Sequence, residues 1–137
     1  MVEVCLSSNT QILQVSGTAH PLALYLAHGV PVALATDDQG VSRSSLAGEY
    51  QRAALDQHLS YRQLKTLART SLEHAFLPGA SLWATLGTAP VTACAPTDTM
   101  GVGDPPNTTC AAFLAGSERA TTQWELERRF LVFESQQ

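Results

Sequence analysis

Lysine occurs once in these 137 residues, at Lys65, and no basic run exceeds the Arg128-Arg129 pair. Lys+Arg total 8 against 12 Asp+Glu, a formal net charge of −4. Nucleic-acid backbones are held by clustered Lys and Arg, so no nucleic-acid partner is expected. No apolar stretch reaches the roughly 20 residues that cross a bilayer, so no membrane partner is expected either. The N-terminus lacks a basic segment followed by an apolar one, the pattern of a signal peptide. Met1 runs directly into Val2-Glu3-Val4-Cys5-Leu6, which reads as a start inside a fold. Cysteine is sparse, and three are too few for a disulfide framework. Cys5 lies in an apolar run and reads as a buried small hydrophobe. Cys94 and Cys110 flank a loop-rich stretch; they can pair if the parent protein is secreted or periplasmic, and stay as thiols otherwise. The histidines (His20, His28, His58, His74) are few and dispersed. None pairs as His-x-His and none precedes a glutamate by three residues, so they read as ordinary surface or helix-end residues.

What is present is enough apolar material for one domain with a core: 45% of residues are hydrophobic. Residues 2–6 and 32–36 are short apolar runs suited to strands buried on both faces. Between them Pro21 suits a first helical position, Leu22-Ala23-Leu24-Tyr25-Leu26 a helix body, and Gly29 the C′ position. Strand, helix, strand in under forty residues predicts a βαβ unit with parallel strands. A further helix is predicted from Ser44 or Ser45, with Leu46, Tyr50, Ala53 and Gln57 on one face. Another follows, opened by a Ser60/Gln63 capping box and a Leu59/Leu64 staple and closed by Pro78-Gly79. Residues 84–107 have no periodicity and are expected to be an irregular loop. Order resumes over 108–137, a helical extension in which Ser117 caps a helix running through Glu134. Trp83 and Trp124 are expected in the core rather than on a stacking platform.

The chemically pointed feature is Val32-Ala33-Leu34-Ala35-Thr36-Asp37-Asp38, a buried strand ending in adjacent acids. In a parallel barrel the functional residues gather at the C-terminal strand ends. There one carboxylate can take a divalent ion while its neighbour accepts a hydrogen bond from a ligand N–H. From the dipeptide alone a solvated acidic turn is the commoner outcome. Ser7 and Ser8 have no His/Asp arrangement that would make a nucleophile; they suit hydrogen-bond donors at the rim.

These residues stand in a longer pattern. Val4-Cys5-Leu6-Ser7-Ser8-Asn9, His20-Pro21-Leu22, Gly29-Val30-Pro31-Val32 through Asp38, Glu49-Tyr50, Leu64-Lys65, Ala68-Arg69, Ser71-Leu72-Glu73 and Ala75-Phe76-Leu77-Pro78-Gly79 together resemble the C-terminal part of the adenosine deaminase family. Phe113-Leu114, Ala120, Gln123-Trp124, Leu126-Glu127 and Phe130 are similar to the terminal helix of its growth factor branch and bacterial relatives. Leu6 and Gln39 stand where prolines are common in the family, and Thr70 where an asparagine is.

The resemblance implies an α/β fold: the C-terminal portion of a (β/α)8 (TIM) barrel, with two parallel strands and several helices over residues 1–83, ahead of the 84–107 loop and the 108–137 extension. It implies that Asp37 is a zinc ligand, that Asp38 binds the purine ring of adenosine, and that Ser7, Ser8 and Asn9 lie at the rim, where Ser7 and Ser8 can orient Asp37. Family chemistry is hydrolytic deamination of adenosine to inosine and ammonia. Its remaining zinc ligands are histidines, and its proton shuttle is a glutamate; no segment here matches them. The implied partner is therefore the missing N-terminal barrel portion, and the chain alone is expected to be inactive. Its open strand edges are a route to self-association. A non-catalytic remnant that complements another deaminase chain is the alternative.

Overall fold

The computed structural model describes residues 1–97 and 100–136. Residues 98 and 99 of the expected loop and residue 137 of the expected extension lie outside the described residues. The chain divides into two compact units, Met1–Ser71 and Leu72–Gln137.

The first unit has the expected mixed α/β character. Strands β1 (Val2–Val4) and β2 (Val32–Leu34) pair in parallel, with Val2 opposite Val32 and Val4 opposite Leu34. Every residue of β2 is buried, as an uninterrupted apolar run requires. The two form a two-stranded sheet, so each has one edge unpaired within the described residues. The connection differs from the single helix anticipated. An additional helix, α1 (Leu6–Leu13), occupies the stretch read as a rim loop; a 3-10 turn (Gly17–Ala19) follows, then α2 (Leu22–Ala27). Serine, asparagine and threonine hide α1 from sequence reading, since they favour turns over helix interiors. Thr10 turns its hydroxyl back to the Leu6 carbonyl at 2.9 Å, and the first turn of the helix finds an acceptor elsewhere in the fold, described below. Gly29, at φ +66°, ends α2 as predicted.

Past β2 come a single turn, α3 (Gln39–Ser42), then α4 (Leu46–Leu55) and α5 (Tyr61–Glu73). Both long helices start where the sequence places them. The Ser45 hydroxyl accepts from the Gly48 amide at 3.1 Å. The Ser60 amide donates to the Gln63 side chain at 2.9 Å, and the Gln63 amide to the Ser60 hydroxyl at 3.4 Å. These helices close over Val4, Leu6, Leu22, Val32, Leu34, Ala53 and Leu67, with Leu59, Leu64 and Tyr50 packed against that cluster. Leu22 and Leu67 are fully buried, each contributing roughly 1.5–3 kcal/mol by burial.

The second unit has a different construction. Residues 84–90 are not irregular: β3 (Trp83–Thr85) and β4 (Ala89–Pro90) form a short antiparallel hairpin. Gly87, at φ +69°, makes its turn, and a 3-10 turn (Thr92–Cys94) follows. The hairpin escapes sequence reading because its strands are too short for period-2 alternation to register. Helix α6 (Thr108–Ala115) is capped by Asn107, and α7 (Glu118–Glu134) by Ser117. Cys94 and Cys110 are joined by a disulfide, settling the pairing that the sequence left open. Both are fully buried in a cluster with Leu82, Trp83, Met100, Leu114, Ala120 and Trp124, so the two tryptophans sit in the core as expected. Polar contacts tie α7 to the segment ahead of the hairpin. The Gln123 side chain accepts from the Leu82 amide and donates to Glu73, both at 2.8 Å. Arg119 donates to the carbonyls of Ala75 and Leu77 at 3.2 and 3.1 Å. Gly79 has φ +95°, and a Cβ there would come within 2.7 Å of the Ser117 Cα; no other residue fits. No helix among the described residues is long and apolar enough to cross a membrane.

Candidate functional site

Because β1 and β2 run parallel and in register, the chain leaves both at the same rim. Past β1 it enters α1; past β2 it reaches Thr36-Asp37-Asp38. That topology brings Ser8 and Asp37, 29 positions apart in sequence, into contact: the Ser8 hydroxyl donates to Asp37 Oδ2 at 2.8 Å. Asp37 takes the left-handed backbone, φ +53°, which Asp tolerates better than most residues. Its carboxylate is exposed. Ser8 ties one of its oxygens, a support that metal-ligating carboxylates in general have.

Asp38 is also exposed and makes no side-chain hydrogen bond among the described residues, even though it stands at the start of α3. The structure thus brings Asp37 and Ser8 together and leaves Asp38 unengaged beside them. Ser7 and Asn9 are placed differently. The Ser7 amide, not its hydroxyl, is engaged: it donates to both oxygens of Glu49 on α4, at 3.3 and 3.2 Å. Asn9 Oδ1 meets His20 Nε2 at 2.9 Å.

Two functional-site neighbours were quoted from the sequence for the resemblance but given no role at the site. Glu49 is fully buried; its signal was a charge one helical turn before Ala53, on the face that packs inward. His20 stands at a helix end, one of the two places expected for it, but is buried there, 5% exposed. Its Nδ1 accepts from the Leu22 amide at 3.1 Å, so Nε2 carries the proton and donates to Asn9. Burial holds its pKa below the ordinary histidine value, consistent with the neutral ring this bonding needs. Cys5, half-buried beside the acids, has its thiol pKa raised, first by burial and then by the charges of Asp37, Glu49 and Glu3. The Asp37 backbone, bonded to the sulfur, works the other way.

The adenosine deaminase family model matches residues 1–84. This chain belongs to the adenosine deaminase family. Adenosine deaminases of Escherichia coli strains SMS-3-5/SECEC and O7:K1 (IAI39/ExPEC) are each 40% identical to it over 77 residues, 56% of this chain and 23% of theirs. The same identity and coverage hold for the adenosine deaminase of Escherichia coli O1:K1/APEC. The chain therefore spans about a quarter of the length of the curated relatives it matches. No solved structure matches it. The matched stretch of this deaminase-family chain holds the parallel strands, the acids and every contact described around them, while most of the second unit lies beyond it.

The family's metal can be tested against this donor set. Zinc takes four ligands in a structural site and three plus water in a catalytic one. No group of three or more His, Cys, Asp or Glu that could hold a metal exists among the described residues. Among the described residues the rim offers one exposed aspartate tethered by Ser8, Asp37, and does not make a zinc site by itself.

Proposed function

We propose that this chain is the C-terminal portion of a zinc-dependent adenosine deaminase barrel, from the growth factor branch or its bacterial relatives. In this reading β1 and β2 are the last two strands of a (β/α)8 barrel, residues 84–107 are an excursion and 108–137 a helical extension. Asp37 supplies one zinc ligand, and Asp38, without a side-chain hydrogen bond among the described residues, accepts from the purine ring. Ser8 fixes which oxygen of Asp37 faces the metal, while Ser7 and Asn9 shape the rim around it. Zinc, when bound, would lower the pKa of a water and so supply the nucleophile for the purine carbon that carries the amino group. The observation that carries the proposal is the 2.8 Å bond from Ser8 to Asp37, made at the shared rim of two parallel strands inside the family match.

The remaining ligands and the proton-shuttling glutamate come from the other strands of the barrel, so this chain alone turns over no adenosine. Unpaired edges on β1 and β2 are where those strands join, and without them the edges favour self-association. The buried Cys94–Cys110 disulfide supports a secreted or periplasmic parent, because such bonds persist in oxidising compartments. A titration of thiols in unfolded, unreduced protein taken from its native source checks that: one free thiol, Cys5, is expected.

Zinc competition against a chelator tests the core of the proposal. The chain alone should retain no stoichiometric zinc. Combined with the rest of a family barrel, it should retain zinc and produce inosine, and Asp37→Ala should abolish both. Asp38→Ala should keep the zinc and raise the nucleoside KM. Tight binding of one zinc by the chain alone, through Asp37, would overturn the reading. Assembly that retains zinc without forming inosine would favour a remnant that complements another deaminase chain.

A further inference from the structure

The most deeply buried acid in the first unit is not one of the two at the rim. Removing a carboxylate from water costs several kcal/mol unless it is well paired. Glu49 is fully buried, and its only hydrogen-bond donor among the described residues is the Ser7 amide. That donor has a particular place. Ser7 lies in the first turn of α1, whose N-cap residue Cys5 offers no side-chain acceptor. The first amides of a helix have no partner within it, and the partial positive charge there favours an acid. Here the acid comes from another helix, 42 residues on in sequence.

Three successive residues of α1 are thereby fixed by three different segments. Ser7 is held by Glu49, Ser8 bonds Asp37 at 2.8 Å, and Asn9 is held by His20 at 2.9 Å. We infer that Glu49 is a positioning residue: from α4 it holds the first turn of α1 through the Ser7 amide, and that turn sets the Ser8 hydroxyl against Asp37. The inference rests on the reading of Asp37 as a metal ligand. Glu49 touches neither metal nor nucleoside; it acts through Ser8. Losing it frees the turn, and the Asp37 carboxylate no longer presents one defined oxygen.

Hydrogen exchange on this chain reads the contact directly. Glu49→Ala should speed exchange of the Ser7 and Ser8 amides roughly 10-fold or more, while the amides of Leu67 to Ser71 in α5 keep their protection. Glu49→Gln, which keeps an acceptor oxygen in the same shape, should restore protection at Ser7. Unchanged Ser7 exchange in Glu49→Ala overturns the inference. So does Glu49→Gln exchanging as fast as Glu49→Ala, a comparison that still decides the matter if the alanine variant loosens α5 as well.

The consequence is read in the assembled barrel by zinc competition. Glu49→Ala and Ser8→Ala should each weaken zinc retention about 10-fold or more, as loss of a ligand's supporting hydrogen bond does, with Ser7 still protected in Ser8→Ala. Undiminished retention in both, where Asp37→Ala loses the metal, overturns the inference. Retention that survives Asp37→Ala removes the reading of Asp37 instead, and leaves the exchange result on Glu49 intact.

Discussion

The two units reach stability by different means. The first, Met1–Ser71, encloses an aliphatic cluster under α4 and α5 on a two-stranded parallel sheet, with hydrogen bonds to Glu49, Asp37 and His20 holding α1 and no covalent staple. The second, Leu72–Gln137, has a disulfide in the middle of its core, a hairpin, and a polar clamp from Gln123 and Arg119. Short segments rarely bury enough apolar surface to stay folded without a staple. The second unit carries its own. The first carries none, and its β1 and β2 edges offer backbone groups that further strands would satisfy. The unit with the candidate site is thus the one with unpaired strand edges among the described residues, and the unit mostly beyond the family match is the one with a covalent cross-link.

Loss of Leu67 would break that contrast most strongly. Its side chain is 1% exposed and central to the first cluster, and Leu67→Ala should cost about 2–5 kcal/mol. Residue-resolved hydrogen exchange should show protection lost across α4 and α5 and retained from Cys110 to Trp124. Equal loss in both segments would mean that the two cores melt as one.

Opening the disulfide is the matching test of the second unit. Cys94 and Cys110 are 16 positions apart, and closing a loop of that size stabilises by about 3 kcal/mol on the chain-entropy account. Cys94→Ala with Cys110→Ala should lower protection in α6 and α7 by about that amount and leave α5 unaffected. No change there would show that the cluster around Trp83 and Trp124 suffices without its staple.

Much of this organisation was legible in the residues. Ser60 and Gln63, Ser45, Ser117 and Gly29 mark their helix ends because capping is local chemistry, written within four positions. The parallel strands were legible because Val32-Ala33-Leu34 is an unbroken apolar run. Helix α1 was not, because Glu49, which accepts from its first turn, lies 42 residues away. The hairpin at Trp83 to Pro90 is held by a core from distant α6 and α7, not by its own pattern. At the site, Asp37 and Asp38 stood out as adjacent acids on a strand end. Glu49 and His20 did not, since a carboxyl or an imidazole announces its burial only once the fold surrounds it.

A smaller effect sharpens the contrast from inside α5. Ser60 is exposed and its hydroxyl engages Gln63. Ser60→Ala should cost about 1 kcal/mol, visible as lower protection of the first α5 turn in hydrogen exchange. The second unit's counterpart is Ser117, buried and bonded both to the Ala120 amide and to the Ala80 carbonyl. Ser117→Ala should cost more than Ser60→Ala, because it leaves the buried Ala120 amide without its acceptor. Equal losses would mean that burial adds nothing to this cap.

The smallest expected effect is a pH dependence confined to the first unit. His20 is buried and neutral, with its pKa held below the ordinary value by desolvation. The groups it faces are the Asn9 side-chain oxygen and the Leu22 amide. Protonation would place an N–H on Nδ1 where the Leu22 amide already donates. A folded-state pKa below the unfolded one means that this stabilisation is fully present above the ordinary histidine pKa. It declines as the pH falls below that value and is gone once the pH has dropped through the folded pKa. Between about pH 7.5 and 5, the melting temperature of the first unit should therefore fall more in the wild-type chain than in His20→Gln, which cannot titrate. The second unit has no histidine other than exposed His74, and α6 and α7 should show no matching loss over the same range. Identical slopes for the wild-type chain and His20→Gln would mean that the Asn9–His20–Leu22 contact does not hold α1 in solution, and one of the three anchors of the Ser8 turn would be lost with it.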